Sequence, residues 1–407
     1  MTSSTGLTAP MGSPERSRER MLLGQVSAAH LVSHVHITTI PALMPLLPAF
    51  FGASFVEIGL ALTVFNLVSL LVQTPMGFAT DRFGARRILL LGLVLGGASF
   101  LSLAVSPGYG WLLVAMAAAG LANGVYHPAD YALLARGIDG SRMGRAFSIH
   151  TFAGYFGNAI APPLLLGAAA LAGVGQAFAL AGLLALVVAL LIVLAPVSPA
   201  SAPAPRPRAS DSAEEAVPRA RLITPTVVSL MVLFVLLALS TGGLVSYAVT
   251  AFVRSYGLDL ASASAALTLF LFASAVGVLA GGALADRTRR HGLVAAAAYL
   301  ATAAITCALA LTTPPALVVI GLMGLAGFLS GIITPSRDMM VRAAAPRGAE
   351  GIVFGIVSTG FNIGGLVGPL LFAFLIDKGQ PRAIFAVAAV FMVLTVLLAL
   401  VQDLRRS

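Results

Sequence analysis

Six long apolar stretches, separated by short polar turns, occupy residues 21–50, 55–79, 87–106, 109–136, 142–171 and 174–196. Six more occupy 222–252, 260–284, 292–312, 314–341, 349–376 and 381–402. Each is long enough to cross a hydrocarbon layer about 30 Å thick, which takes about 20 helical residues. Backbone in lipid must satisfy its own hydrogen bonds, so the pattern predicts an all-α membrane protein with twelve transmembrane helices. Residues 1–20 are polar and predict a disordered tail, and residues 197–221, rich in Ala, Pro, Ser and Arg, predict a flexible linker. The chain thus divides into a six-helix bundle at 21–196, a second at 222–403, and a short tail at 404–407.

The two bundles are written on one template. Gly120, Gly124, Pro128, Gly144, Phe147, Gly157 and Pro162 recur 207 residues later as Gly327, Gly331, Pro335, Gly351, Phe354, Gly364 and Pro369. Gly77-x-x-x-Asp81-Arg82 recurs at an offset of 205 as Gly282-x-x-x-Asp286-Arg287. Offsets this constant imply a duplicated unit of roughly 200 residues. A duplicated, very apolar chain is the mark of a secondary transporter with its site between the halves.

Charge placement orients the chain. Of the 24 lysines and arginines, 21 fall on the side of the two termini and the central linker, and only Arg254, Lys378 and Arg382 fall on the other. Cationic loops stay in the cytoplasm, so both termini are predicted inside, in a cell inner (plasma) membrane. The net charge of +9 does not point to nucleic acid, because the arginines punctuate apolar runs instead of forming one basic face. Lys378 is the sole lysine and no Gly-rich loop leads into it, so no P-loop for ATP is present. Cys307 is the sole cysteine, which removes a disulfide framework. No paired catalytic carboxylates, His-Glu-x-x-His or nucleophile motif suggests an enzyme.

The stretch Gly77-Phe-Ala-Thr-Asp81-Arg82-Phe-Gly84-Ala-Arg86-Arg87 resembles the signature loop between helices 2 and 3 of the major facilitator superfamily. Its second copy keeps Gly282, Asp286 and Arg287. With two such copies, each after the second span of a six-span half, the whole chain resembles that superfamily, which implies two pseudo-symmetric six-helix halves. The resemblance also implies that Asp81 latches the halves together by meeting the start of helix 11 near Gly351. A helix N-terminus carries about half a positive charge, so a carboxylate is the fitting partner. A purely topological role for Asp81 and its arginines is the alternative. Within the superfamily the chain is most similar to fosmidomycin-resistance-type and other drug-efflux permeases, through Pro41-Ala-Leu-Met-Pro45, Phe65-Asn66, Gln73, His127-Pro128 and Gly154-x-x-Gly157-Asn158-x-x-x-Pro162. The helix 4 arginine of many proton-driven exporters is missing, since Leu112 to Gly120 carries no charge.

Polar residues at membrane depth are costly and therefore informative. Helix 1 carries Ser27, His30, Leu31, His34 and Thr38 at three-to-four spacing, on one face. Histidine titrates near neutral pH, which suits a proton carrier or a polar substrate contact, although these histidines equally suit hydrogen bonds between helices. His30 and His34 lack a carboxylate on the same helix, so no metal site is expected. Helix 4 contributes His127 and Asp130, three apart on one face, and helix 5 contributes His150. Arg337 is the positional twin of Asp130 and suits an anionic substrate, with Asp338 beside it as a possible neutralising partner. If Asp130 and Arg337 both face the pathway, they would form a charge-pair gate that protonation releases. Gly154, Gly157, Pro162, Gly360, Gly364, Gly368 and Pro369 suit close helix packing and bending. Pro41, Pro45 and Pro48 should bend the outer end of helix 1.

Together these features predict a secondary active transporter of a small organic solute working by alternating access. A proton-coupled exporter of a drug or organic anion is the leading expectation, with proton as coupling ion and no other cofactor. Uptake of an organic anion by proton symport is the alternative, and a membrane sensor on a transporter scaffold is the alternative of another class. The expected partners are the lipid bilayer and the solute, with the chain acting as a monomer.

Overall fold

The protein's architecture, seen in a computed structural model, is described for residues 14–106, 108–139, 142–197, 223–285, 287–288, 290–346 and 350–404. Thirteen helices occupy them. The first half holds α1 (Pro14–Leu43), α2 (Leu47–Phe51), α3 (Phe55–Phe83), α4 (Ala85–Val105), α5 (Tyr109–Gly137), α6 (Met143–Ala172) and α7 (Val174–Leu194). The second holds α8 (Pro225–Tyr256), α9 (Leu260–Ala285), α10 (His291–Leu311), α11 (Ala316–Ala344), α12 (Glu350–Asp377) and α13 (Ala383–Leu404). No strand occurs among the described residues. Past the first, every long helix starts within three residues of the apolar stretch that predicts it.

Among the described residues eleven helices are long and apolar enough to cross a membrane. The twelfth spanning element is α1, whose His30, His34 and His36 dilute its hydropathy but whose 30 residues pack within the first half. The bend expected at its outer end is present: α1 stops at Leu43, a turn follows, and α2 starts afresh at Leu47 with Pro48 in its first turn. The tail expected over 1–20 needs correction from residue 14 onward, because 14–20 are the first turns of α1. Glu19 holds them in place. It is buried and accepts hydrogen bonds from Arg142 Nε at 2.9 Å, Arg142 Nη2 at 2.8 Å and Asp139 N at 3.1 Å. Residues 1–13, nearly all of the linker, Asp286 and residues 405–407 lie outside the described residues.

The duplicated template is a packing code. A Cβ on Gly120 of α5 would press into the backbone of Phe65 in α3, and one on Gly327 of α11 would press into the backbone of Phe270 in α9. Gly124 lies likewise against Ser69, and Gly331 against Ser274. Equivalent glycines therefore bring equivalent helix pairs to backbone contact in each half, the small-residue packing that membrane helices use. Of the packing glycines expected in α6 and α12, Gly157, Gly360 and Gly364 do the same, whereas a Cβ on Gly368 would meet only the Leu239 side chain at 3.6 Å. Gly157 lies on Leu31, Gly360 on Met231 and Val235, and Gly364 on Val235 and Ala238. Pro162 and Pro369 lie within α6 and α12.

The halves meet chiefly along α3 and α12, at the end away from the termini. Asn66 Nδ2 donates to Gly365 O at 3.1 Å, Thr63 Oγ1 to Leu366 O at 2.9 Å, and Gly59 abuts the Pro369 carbonyl. Arg254 of α8 places its guanidinium 4.6 Å from the ring centroid of Phe55. From Leu71 toward the termini, by contrast, α3 loses this cover and Leu71, Phe78 and Phe83 are exposed. Asp259, just outside the membrane stretch of α9, caps that helix. Hydrogen bonds from Ser262 hold its carboxyl below the usual carboxylate range.

Candidate functional site: a cavity between the halves

A cavity of about 690 Å³ lies between the two halves. His34, His127, Tyr155 and Asn158 line it from the first half, and Tyr299, Thr334, Arg337 and Phe361 from the second. Its end away from the termini is closed by the contacts of α3 with α12 described above.

On the first-half wall, α1 and α6 are held together at Asn158. His34 Nδ1 lies 3.2 Å from Asn158 Oδ1, and Thr38 Oγ1 donates to the same oxygen at 2.8 Å. Asn158 Oδ1 can only accept, so His34 donates from Nδ1 and keeps Nε2 as a free acceptor. Gly154, one turn earlier in α6, leaves the space that the His30 and His34 rings fill: a Cβ there would lie 2.8 Å from Nε2 of each. This is why that position is glycine.

Behind the histidines sits Asp130. Its side chain is fully buried, and neither oxygen has a hydrogen-bond partner. His30 Nδ1 approaches Asp130 Oδ2 to 3.5 Å and His150 Nε2 to 3.7 Å. The His30 and His150 rings stack with centroids 3.9 Å apart, and His34 and His127 flank His30 at 4.6 and 5.4 Å. Leaving a carboxylate unpaired at full burial costs several kcal/mol, roughly, unless a proton or a cation joins it. Among the described residues His30, Asp130 and His150 are also the only three metal-type donors near one another, within 4.8 Å. The sequence placed His30, His34, His127, Asp130 and His150 on three helices, and the fold brings all five together.

The expected Asp130–Arg337 pair is not formed. The two do share a register on α5 and α11, but register does not fix direction. Asp130 is short and points into the α1–α5–α6 packing, where His30 and His150 receive it, and it does not line the cavity. Arg337 is long and lines the cavity, held by its own neighbour: Nε donates to Asp338 Oδ1 at 3.0 Å. Two aromatic rings, not foreseen from the sequence, complete its setting. The guanidinium carbon lies 4.9 Å from the Phe234 centroid and 4.8 Å from that of Phe361, within cation–π range. Nearby, Tyr299 Oη is within hydrogen-bond distance of Ser240 Oγ at 3.1 Å and Thr241 Oγ1 at 3.2 Å.

The expected partner of Asp81, the start of helix 11 around Gly351, lies outside the residues whose side chains are described. Asp81 is 76% exposed and pairs within its own half with Arg136 of α5 at 3.3 Å. Arg86 donates from Nη2 to Ile192 O at 2.5 Å, and Arg82 lies over Phe83. His36 does not belong to the cluster. It lies within hydrogen-bond distance of Ala181 O, through Nε2 at 2.9 Å, and packs on Phe100.

Comparison with known proteins agrees with this architecture. The chain is 28% identical over 402 residues to the fosmidomycin resistance protein of Escherichia coli K12, covering 95% of this chain and 94% of that one. It is 25% identical over 378 residues to a probable sulfoacetate transporter of Cupriavidus necator, covering 88% and 87%. A bacterial homolog of the human lysosomal transporter Spinster, solved in an inward-facing and unoccupied conformation, superposes with a TM-score of 0.76 at 15% identity, covering 97% of this chain and 98% of that one. The family model of the Major Facilitator Superfamily matches residues 26–262 and 230–406, and with its apolar helices the chain is a multi-pass membrane transporter belonging to that superfamily.

Proposed function

We propose that this transporter exports a small organic anion, drug-like molecules included, in exchange for protons. One observation carries the reading: a single cavity has a fixed cation, Arg337, on its second-half wall and a buried carboxylate behind histidines, Asp130, in its first-half wall. Guanidinium offers a planar fork that matches carboxylate, phosphonate or sulfonate groups. Phe234 and Phe361 flank that fork, and Phe361, which lines the cavity, offers apolar surface to the rest of the solute. The resistance protein and the sulfoacetate transporter named above support a charged, small cargo.

The Asp130 pocket is the place for the coupling cation, with His34 and His127 standing between it and the cavity. Substrate and cation thus sit on opposite walls, and each favours a different closure of the cavity. The Lys/Arg bias places the termini in the cytoplasm of an inner (plasma) membrane, so the present state is inward-facing. The chain works as a monomer on this reading, since each half contributes one wall.

Purified protein in liposomes, with an imposed pH gradient and a panel of labelled organic anions, tests this. Exchange concentrates solute on the acidic side. Concentration on the alkaline side would establish symport and hence uptake, and transport indifferent to the gradient would remove the proton.

A further inference from the structure

A second cavity, of about 490 Å³, lies at the terminus-bearing end of the first half and is separate from the transport pathway. It opens among α1, the α3–α4 turn, α5 and the end of α7. Four arginines line it: Arg18, Arg86, Arg87 and Arg136. Among the described residues the one carboxylate paired with any of them is Asp81, on Arg136, which leaves three arginines without a carboxylate partner there. Apart from Gln25, the rest of the lining is apolar or glycine, with Leu22, Val26, Leu89, Leu133 and Ile192 prominent.

The polarity runs in one direction. On α1, Val26 follows Arg18 by eight residues, which at about 1.5 Å per residue is about 12 Å further into the membrane. On α4, Leu89 follows Arg86 by most of a turn, and on α5, Leu133 lies one turn deeper than Arg136. The cations therefore ring the mouth and the apolar side chains line the interior. The turn that sets Arg86 and Arg87 at this mouth depends on Gly84, whose φ of 93° suits glycine. None of these four arginines lines the central cavity, although Arg86 and Arg87 belong to the loop that carries Asp81.

We infer that this cavity binds an anionic phospholipid, with the phosphate among Arg18, Arg87 and Arg136 and the start of an acyl chain along Leu22, Val26 and Leu89. A free phosphate would use the arginines and leave the apolar depth empty, whereas a lipid uses both. Basic pockets at the cytoplasmic membrane face hold such headgroups, each arginine near the surface contributing about fivefold in affinity. The inference rests on placing this end at the lipid headgroups, and the binding test below needs no gradient and no transport substrate, so the two readings fail separately.

The test is native mass spectrometry of purified protein offered phosphatidylglycerol, phosphatidylcholine or inorganic phosphate. Wild type should retain one phosphatidylglycerol at least tenfold in preference to phosphatidylcholine, and phosphate should not displace it. The Arg18→Gln/Arg87→Gln double variant should lose that preference by tenfold or more, and Arg18→Gln alone, far from the helix core, by roughly fivefold. Equal retention of both lipids by wild type, unchanged retention by the well-folded Arg18→Gln variant, or displacement by phosphate would each overturn the assignment.

Discussion

Asp377, the last residue of α12, caps the first turn of α3 across the interface, accepting from Val56 N at 2.8 Å and from Phe55 N at 3.2 Å. The contact joins residues 321 positions apart and closes the outer end of the cavity. α3 and α12 run antiparallel, and each carries an aspartate near its C-terminus. Asp377 caps α3, whereas Asp81 pairs with Arg136 of its own half.

Asp377→Asn should weaken the outer closure. A charge-assisted hydrogen bond contributes about 1.5–3 kcal/mol, so the ratio of inward- to outward-facing molecules should fall roughly tenfold or more. Pulsed electron spin distance measurements between labels at Ser106 and Thr312, with Cys307 replaced, should show the outer ends separating. An unchanged distance distribution would leave Asp377 as a local cap only.

Asp81→Asn should act in the opposite sense. Here Asp81 makes only an exposed ion pair, worth about 0–1 kcal/mol, so thermal stability in this state should barely change. The outward-facing state, in which the inner ends meet, would lose its latch, at a scale of about 1–3 kcal/mol of coupling. Labels at Phe83 and Ala343 should report the inner ends staying apart, and transport should slow. Normal transport in a well-expressed variant would reduce the loop to a topology signal.

Much of this fold is written in one dimension because lipid imposes one-dimensional rules. Helix length, apolar content and the Gly120/Gly327 register all follow from local sequence, and the close contacts on Phe65 and Phe270 are their direct result. Side-chain direction is a different matter. Asp130 and Arg337 hold equivalent positions, yet one turns into its own half and the other into the cavity, because only the first half supplies His30 and His150. Asp377 escaped the sequence reading for a related reason. A carboxylate before Lys378 and Gly379 looks like an ordinary helix end until the antiparallel partner is known. Asp81 likewise has the partner its own half supplies, Arg136, which a motif reading does not indicate.

Gly154→Ala should damage the histidine pocket, since the new methyl would meet Nε2 of both His30 and His34 at 2.8 Å. Overpacking of this kind costs about 1–3 kcal/mol. Gly167→Ala in the same helix is the matched control. Nothing lies within 4 Å of a Cβ there, so the lower entropy of the unfolded chain should stabilise by about 0.4–1 kcal/mol. Thermal unfolding in one detergent separates the two, and equal effects would show that helix propensity alone is being measured.

The division of labour between the walls yields the sharpest outcome. Arg337→Gln should raise the dissociation constant for an anionic solute by roughly 10–100-fold, the scale of a lost charge-assisted hydrogen bond, and leave its response to a pH gradient intact. Asp130→Asn should do the reverse: solute binding and solute–solute exchange persist, while accumulation driven by a pH gradient disappears. The charge swap Asp130→Arg with Arg337→Asp should rescue neither defect. An arginine at position 130 would be forced into a fully buried site already occupied by two imidazoles, and an aspartate at position 337 would leave the Phe234–Phe361 clamp without its cation. Binding measured by calorimetry, with exchange and gradient-driven uptake in liposomes, resolves all three variants. Recovery of transport in the swapped variant would show that the two charges meet in the opposite state, and Asp130 would then be a gate residue instead of a buried cation site.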